Sequence, residues 1–213
     1  MRYRGTDAAA SASFVSARFE MYPKARLDAL TDGVFAVAMT LLVLDIRLPE
    51  DFHPHDQREF IVGVLNLWPK FLPYVISFFV LGFRWLAGVH VTTKSDAVSS
   101  SYARWWLLYL LLITCVPFTS FVIGRYPYAP PAIWLYAGNA ALIAAISARM
   151  LALLPDIEWG KHVEVRQHAL GLLFVSALLA IGISFVYPRL AMWAMALNLL
   201  TPLQLHWHRL RAQ

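Results

Sequence analysis

One cysteine in 213 residues, Cys115, removes intrachain disulfides and cysteine-based metal clusters at a stroke. It lies in an apolar run and reads as a buried small hydrophobe. Charge is scarce as well: Asp, Glu, Lys and Arg together make up 15% of the chain, against about 25% in soluble domains. The sequence lacks a Gly-Xaa-Ser-Xaa-Gly elbow, a His-Glu-Xaa-Xaa-His pair and a phosphate loop, so an enzyme is the least favoured class. No cleaved secretory leader is expected. The Ala8–Ser13 tract is short and sits among Arg2, Arg4, Arg18 and Lys24, so residues 1–25 read as a flexible cytoplasmic tail.

What is present in excess is apolar sequence, at 59% hydrophobic residues. Six spans emerge, at about 27–48, 69–92, 103–124, 131–154, 168–187 and 189–207, each near the ~20 residues that a membrane-crossing helix needs. The expected fold is therefore an all-α polytopic membrane protein with six transmembrane helices. Its helical domain covers 26–208, and 209–213 form a short cytoplasmic C-terminus. The net charge of +5 comes from basic residues in short loops and termini, a pattern of membrane topology and not of nucleic-acid binding. With the N-terminus inside, twelve bases are cytoplasmic: Arg2, Arg4, Arg18, Lys24, Arg26, Lys94, Arg104, Arg149, Lys161, Arg166, Arg209 and Arg211. Five lie outside: Arg47, Arg58, Lys70, Arg125 and Arg189. This asymmetry places both termini in the cytoplasm of a multi-pass cell (inner) membrane protein.

The first span carries an acid at each end of its apolar run, Asp32 and Asp45. Ionisable groups at that depth are costly and usually face a bundle interior or a water-filled path. Val37, Leu41 and Leu44 recur at i, i+4 and i+7 and share one face; Gly33, Ala36 and Thr40 form a second, small-residue stripe. By periodicity alone the first set is ordinary core or lipid-facing surface, and Thr40 bonds back to its own helix. Arg26 and Asp32 are six residues apart and off one another's face, so each is expected to reach another helix. The second span runs antiparallel and brings Arg84 and His90 to the depth of Asp32, making either one its candidate ionic partner, with a purely structural pair as the alternative. His53 and His55 lie in a polar loop with Asp51, Asp56, Arg58 and Glu59, where solvation is favoured over metal binding. His206, Trp207 and His208 read as an interfacial anchor.

Arg26, three residues, then Leu30-Thr31-Asp32 resembles the Arg-Xaa-Xaa-Xaa-Phe-Ser-Asp motif of the transmembrane protein 175 family. These are potassium channels of prokaryotes and of eukaryotic lysosomes. The likeness continues through Gly33–Ile46, and Trp85 and Val116-Pro117-Phe118-Thr119 match further landmarks. Two departures stand out. Phe-Ser-Asp is replaced by Leu-Thr-Asp, and the family's Trp-Xaa-Xaa-His-His pattern is broken after Trp85, where Gly88 and Val89 precede His90. The resemblance implies one six-helix unit per chain and a homotetramer whose first helices line a central pore. It also implies hydrophobic constrictions at Val37, Leu41 and Leu44, and a selectivity-linked hydroxyl at Thr40. Arg26, Leu30, Thr31, Asp32, Arg84 and His90 would form the supporting network. No Thr-Val-Gly-Tyr-Gly filter is present. The permeant is expected to be potassium or monovalent cations in general, with no cofactor and no partner beyond lipid and further copies of the chain. The competing reading is a proton-coupled secondary transporter titrating Asp32, although no repeats or broken helices of that class are visible. A non-conducting scaffold leaves Arg26 and Asp32 without a purpose.

Overall fold

Apolar sequence becomes helix almost everywhere in the computed structural model, which describes residues 21–89, 96–154 and 161–197. A short strand β1 (Met21–Pro23) leads into α1 (Lys24–Leu41), which tightens into a 3-10 turn at Leu42–Asp45. Then come α2 (Gln57–Leu65), α3 (Trp68–Val89), strand β2 (Ala97–Ser99), α4 (Ser100–Arg125), α5 (Pro130–Leu153), α6 (Lys161–Ser184) and α7 (Pro188–Ala196). Five of these are long and apolar enough to cross a membrane: α1 with its 3-10 turn, α3, α4, α5, and α6 from Arg166 onward. The protein is a mostly helical, multi-pass membrane protein. The sixth expected span begins as α7 and is described only to Leu197, so its remainder, with His206, Trp207 and His208, lies outside the described residues.

Helix starts follow local chemistry. Ser99 caps α4 by accepting from the Tyr102 N–H. Pro130 and Pro188 open α5 and α7, where a missing N–H costs nothing. α1 has no side-chain cap; its first N–H, from Lys24, donates instead to the Asp96 carbonyl at 2.8 Å. That bond is an extension of the antiparallel β1–β2 pair, which matches Met21 with Ser99, Tyr22 with Val98 and Pro23 with Ala97. The tail expected at 1–25 thus ends in a strand and the first helical residues, because backbone pairing with 96–99 satisfies groups that a free tail would leave to water.

The polar loop expected before the second span holds another helix. Asp56 accepts from the Glu59 N–H at 2.6 Å while the Glu59 carboxylate accepts from the His55 N–H at 2.7 Å. This reciprocal arrangement satisfies two donors at the start of α2. α6 also begins earlier than hydropathy predicts, since Lys161, Glu164, Gln167 and His168 continue the helix beyond its apolar part.

α4, α5 and α6 pack in sequence, α7 returns against α6, and α3 lies along α4. Polar contacts run through this bundle: Ser77 Oγ lies 2.6 Å from Ser120 Oγ and 2.9 Å from the Tyr136 hydroxyl, and Asn139 donates to the Leu112 carbonyl at 3.2 Å. In lipid such bonds and close packing, not exclusion from water, hold helices together. α1 sits at the edge. Its apolar window is 22% buried, against 56% for α5, and its neighbours are α3, α4 and β1.

Candidate pore helix and its supports

α1 divides cleanly into two faces. Leu27, Phe35, Ala38 and Leu42 are buried, with the Phe35 ring centroid 6.1 Å from that of Tyr109 on α4. The opposite face is bare: Leu30 is 51% exposed, Val37 58%, Leu41 44% and Leu44 66%. Gly33, Ala36 and Thr40 are also exposed, and no atom approaches within 4 Å of the position a Gly33 Cβ would take. Tightening into a 3-10 turn keeps Leu44 near the Val37–Leu41 stripe, because three residues complete a turn there. Thr40 donates its hydroxyl hydrogen to the Val37 carbonyl at 2.9 Å. Its oxygen then keeps free lone pairs on the uncovered side.

Two indoles pin the N-terminal half of α1. Trp85 Nε1, from α3, donates to Asp32 Oδ1 at 2.8 Å. Trp106 Nε1, from α4, donates to Thr31 Oγ1 at 2.9 Å, and Thr31 passes its own hydrogen to the Leu27 carbonyl at 2.8 Å. Thr31 and Asp32, adjacent in sequence, therefore address two different helices. Lys24 pairs with Asp28 one turn apart at 2.6 Å.

Of the two expected ionic partners of Asp32, Arg84 is not bonded to it. Arg84 turns away from it, donating to Ser147 Oγ on α5 at 2.5 Å and lying over the Tyr109 ring at 5.9 Å. Adjacent residues on a helix point about 100° apart, so when Trp85 faces Asp32, Arg84 faces the bundle. No ion pair among the described residues includes Arg26, Asp32 or Arg84, and Arg26 is exposed. His90 lies outside the described residues.

At the other end of α1, Lys70 Nζ donates to the carbonyls of Arg47 at 3.0 Å and Asp45 at 3.5 Å. A lysine here complements the partial negative charge where helical carbonyls run out of partners. Asp45 Oδ2 lies against α4, 3.0 Å from where a Cβ on Gly124 would stand.

Lys24, Asp28, Asp32, Trp85, Tyr102, Trp106, Arg84 and Arg166 line a cavity of about 300 Å³ beside this motif. Sequence reasoning placed Trp85 only as a landmark and missed Trp106, Ser147 and Arg166. A signal existed for the indoles, since buried or interfacial Trp N–H groups seek an acceptor, and Thr31 and Asp32 are acceptors. None existed for Ser147, one serine among many.

In sequence and in fold the chain is similar to known membrane channels. The family described as "Endosomal/lysosomal potassium channel TMEM175" matches residues 26–117. A potassium channel of Chamaesiphon minutus is 33% identical over 129 residues, 59% of this chain and 63% of that protein. A potassium channel of Streptomyces collinus is 32% identical over 106 residues, half of each chain. The chain thus spans between half and somewhat under two thirds of these relatives. The human endosomal/lysosomal proton channel TMEM175 is 38% identical over 73 residues, 32% of this chain and 14% of that one. Among solved structures, the crystal structure of a lysosomal potassium-selective channel TMEM175 homolog from Chamaesiphon minutus superposes with a TM-score of 0.62 at 27% identity. It covers 84% of this chain and 96% of that one.

Proposed function

The chain belongs to the TMEM175 family, and from that premise we propose that it is a potassium-conducting channel. Several copies assemble with one α1 each around a common axis; by family resemblance the number is four. The observation that carries this reading is the bare face of α1. A membrane helix that buries Leu27, Phe35, Ala38 and Leu42 yet leaves Val37, Leu41 and Leu44 exposed has a surface to give to a pore or to another copy. Val37, Leu41 and Leu44 form successive apolar rings, and Thr40 offers acceptor oxygens between them. Apolar rings gate by expelling water. Asp32 and Thr31 act through the indoles of Trp85 and Trp106 to fix the rotation of α1. Arg26, exposed on the same helix, addresses a neighbouring copy. Both termini lie in the cytoplasm, by the basic-residue asymmetry.

The test is planar-bilayer recording of purified protein under bi-ionic potassium and sodium, with a third arm holding a pH gradient. A current reversing near the potassium potential is expected, with Val37→Ser raising conductance and weakening discrimination against sodium, and Val37→Phe blocking it. The pH arm separates the competing reading, proton movement through Asp32, which lies on the cavity wall. A reversal potential that follows pH and is lost in Asp32→Asn would replace potassium conduction with proton transport.

A further inference from the structure

Two guanidinium groups lie together in the bundle with no carboxylate bonded to either among the described residues. Arg84 on α3 and Arg166 on α6 both line the cavity beside the α1 motif, and each is within electrostatic range of the other. The acids on that wall are already engaged, Asp28 by Lys24 and Asp32 by Trp85. No ion pair among the described residues involves either arginine. Arg84 lies over the Tyr109 ring and makes one side-chain hydrogen bond: one terminal nitrogen donates to Ser147, while its Nε is buried with no acceptor. Two like charges drawn in from the surface, one carrying an unused donor, are costly unless an anion joins them.

The surroundings indicate which anion. The same two arginines head a second, narrower cleft whose other walls are apolar: Val80, Phe83 and Ala87 from α3, facing Ala169, Leu170 and Leu173 from α6. Charged forks at the head of an apolar slot between two membrane helices match one ligand shape, an anionic head followed by hydrocarbon. Guanidinium binds phosphate oxygens through paired N–H donors, and basic pockets between transmembrane helices take lipid head groups. We propose that Arg84 and Arg166 bind the phosphate of an anionic phospholipid whose head enters the cavity of about 300 Å³ beside α1 and whose acyl chains stay in the bilayer, running along the mouth of the narrow cleft between α3 and α6. Because Arg84 is the sequence neighbour of Trp85, the lipid would brace the helix that holds Asp32. The inference concerns binding and stands apart from whether the protein conducts.

The experiment uses the full chain in mild detergent and three probes: dioleoyl phosphatidylglycerol, dioleoyl glycerol with the same tails and no phosphate, and inorganic phosphate with no tails. Native mass spectrometry should show retained phosphatidylglycerol adducts and few of dioleoyl glycerol, and phosphatidylglycerol should raise the thermal midpoint. Arg84→Gln and Arg166→Gln should each weaken phosphatidylglycerol binding about tenfold, the loss expected for one charge-assisted contact, whereas Arg149→Gln, an exposed arginine on α5, should not. If Arg84→Gln misfolds for want of the Ser147 bond, Arg166→Gln and the unmodified protein still decide the matter. Equal retention of phosphatidylglycerol and dioleoyl glycerol would overturn the site. So would unchanged binding in Arg166→Gln. A full stabilising shift from inorganic phosphate alone would overturn the lipid as its source.

Discussion

Removing the Asp32 carboxylate or the Trp85 indole should have nearly the same consequence, since each is the other's partner at 2.8 Å. The pair joins a charge to a neutral donor, and Asp32 is exposed. Hydrogen bonds to charged groups contribute about 1.5–3 kcal/mol in water-soluble proteins, and measured couplings between membrane helices reach only about 1.7 kcal/mol. We therefore expect Asp32→Ala and Trp85→Phe each to cost about 1–2 kcal/mol, with a clearly non-additive double variant, read from thermal unfolding in a fixed detergent. A cost of roughly 3–5 kcal/mol for Asp32→Ala would be that of a broken buried ion pair and would require a cationic partner. Thr31→Val should behave like Trp106→Phe for the same reason, as the hydroxyl links the indole to the Leu27 carbonyl. The sequence singled out Thr31 and Asp32, which the structure ties to neighbouring helices. It did not tell that neutral indoles would answer them, because a charge in a membrane span invites a search for the opposite charge, whereas Arg84 finds Ser147 and the Tyr109 ring.

α1 is held at both ends and loose along one side. Its start is tied by the Lys24 N–H to Asp96 and by the β1–β2 pair. Its far end is tied by Lys70 to the carbonyls of Asp45 and Arg47. The Lys70 contact is a charge at a helix end, worth roughly 0.3–1 kcal/mol. Lys70→Met should leave global stability almost unchanged while speeding amide hydrogen exchange at residues 42–47 several-fold. It should also alter conductance if Leu44 is a constriction, because the turn that aims Leu44 is the one released. Unchanged exchange at 42–47 would mean that the 3-10 turn is held by its packing on α3 and α4 and not by Lys70. Long apolar helices were legible because the bilayer dictates their length, and α3, α4 and α5 start and end close to the hydropathy bounds. The small elements were not. β1 and β2 are three residues each and exist by pairing across most of the α1–α3 sequence, which no local pattern encodes. α2 was legible in principle, through Asp56 and Glu59 three residues apart, but its polar first turn conceals the apolar run behind it.

Across the whole molecule, bare apolar surface is no rarity: Leu142 on α5 is 54% exposed and Val37 on α1 58%. In lipid the two are energetically alike, so exposure alone does not separate a lipid face from a face turned toward other copies. Geometry does. If α1 lines an axis, Val37 of one copy comes close to Val37 of others, whereas Leu142 of each copy looks outward to lipid. The single cysteine makes this separable, because Cys115→Ser yields a background free of thiols. In that background Val37→Cys should give disulfide-linked dimers under mild oxidation, since bonding needs Cα atoms within about 7 Å and a narrow ring supplies that distance. Leu142→Cys should remain unlinked at the same protein concentration. Cross-linking should persist on dilution in detergent, as an assembled ring requires and a chance encounter does not, and native mass measurement should give four chains. Linkage at Leu142 without linkage at Val37 would place the bare face of α1 in lipid. The pore would then have to be sought on another helix, with Val37, Leu41 and Leu44 reduced to a hydrocarbon-facing stripe.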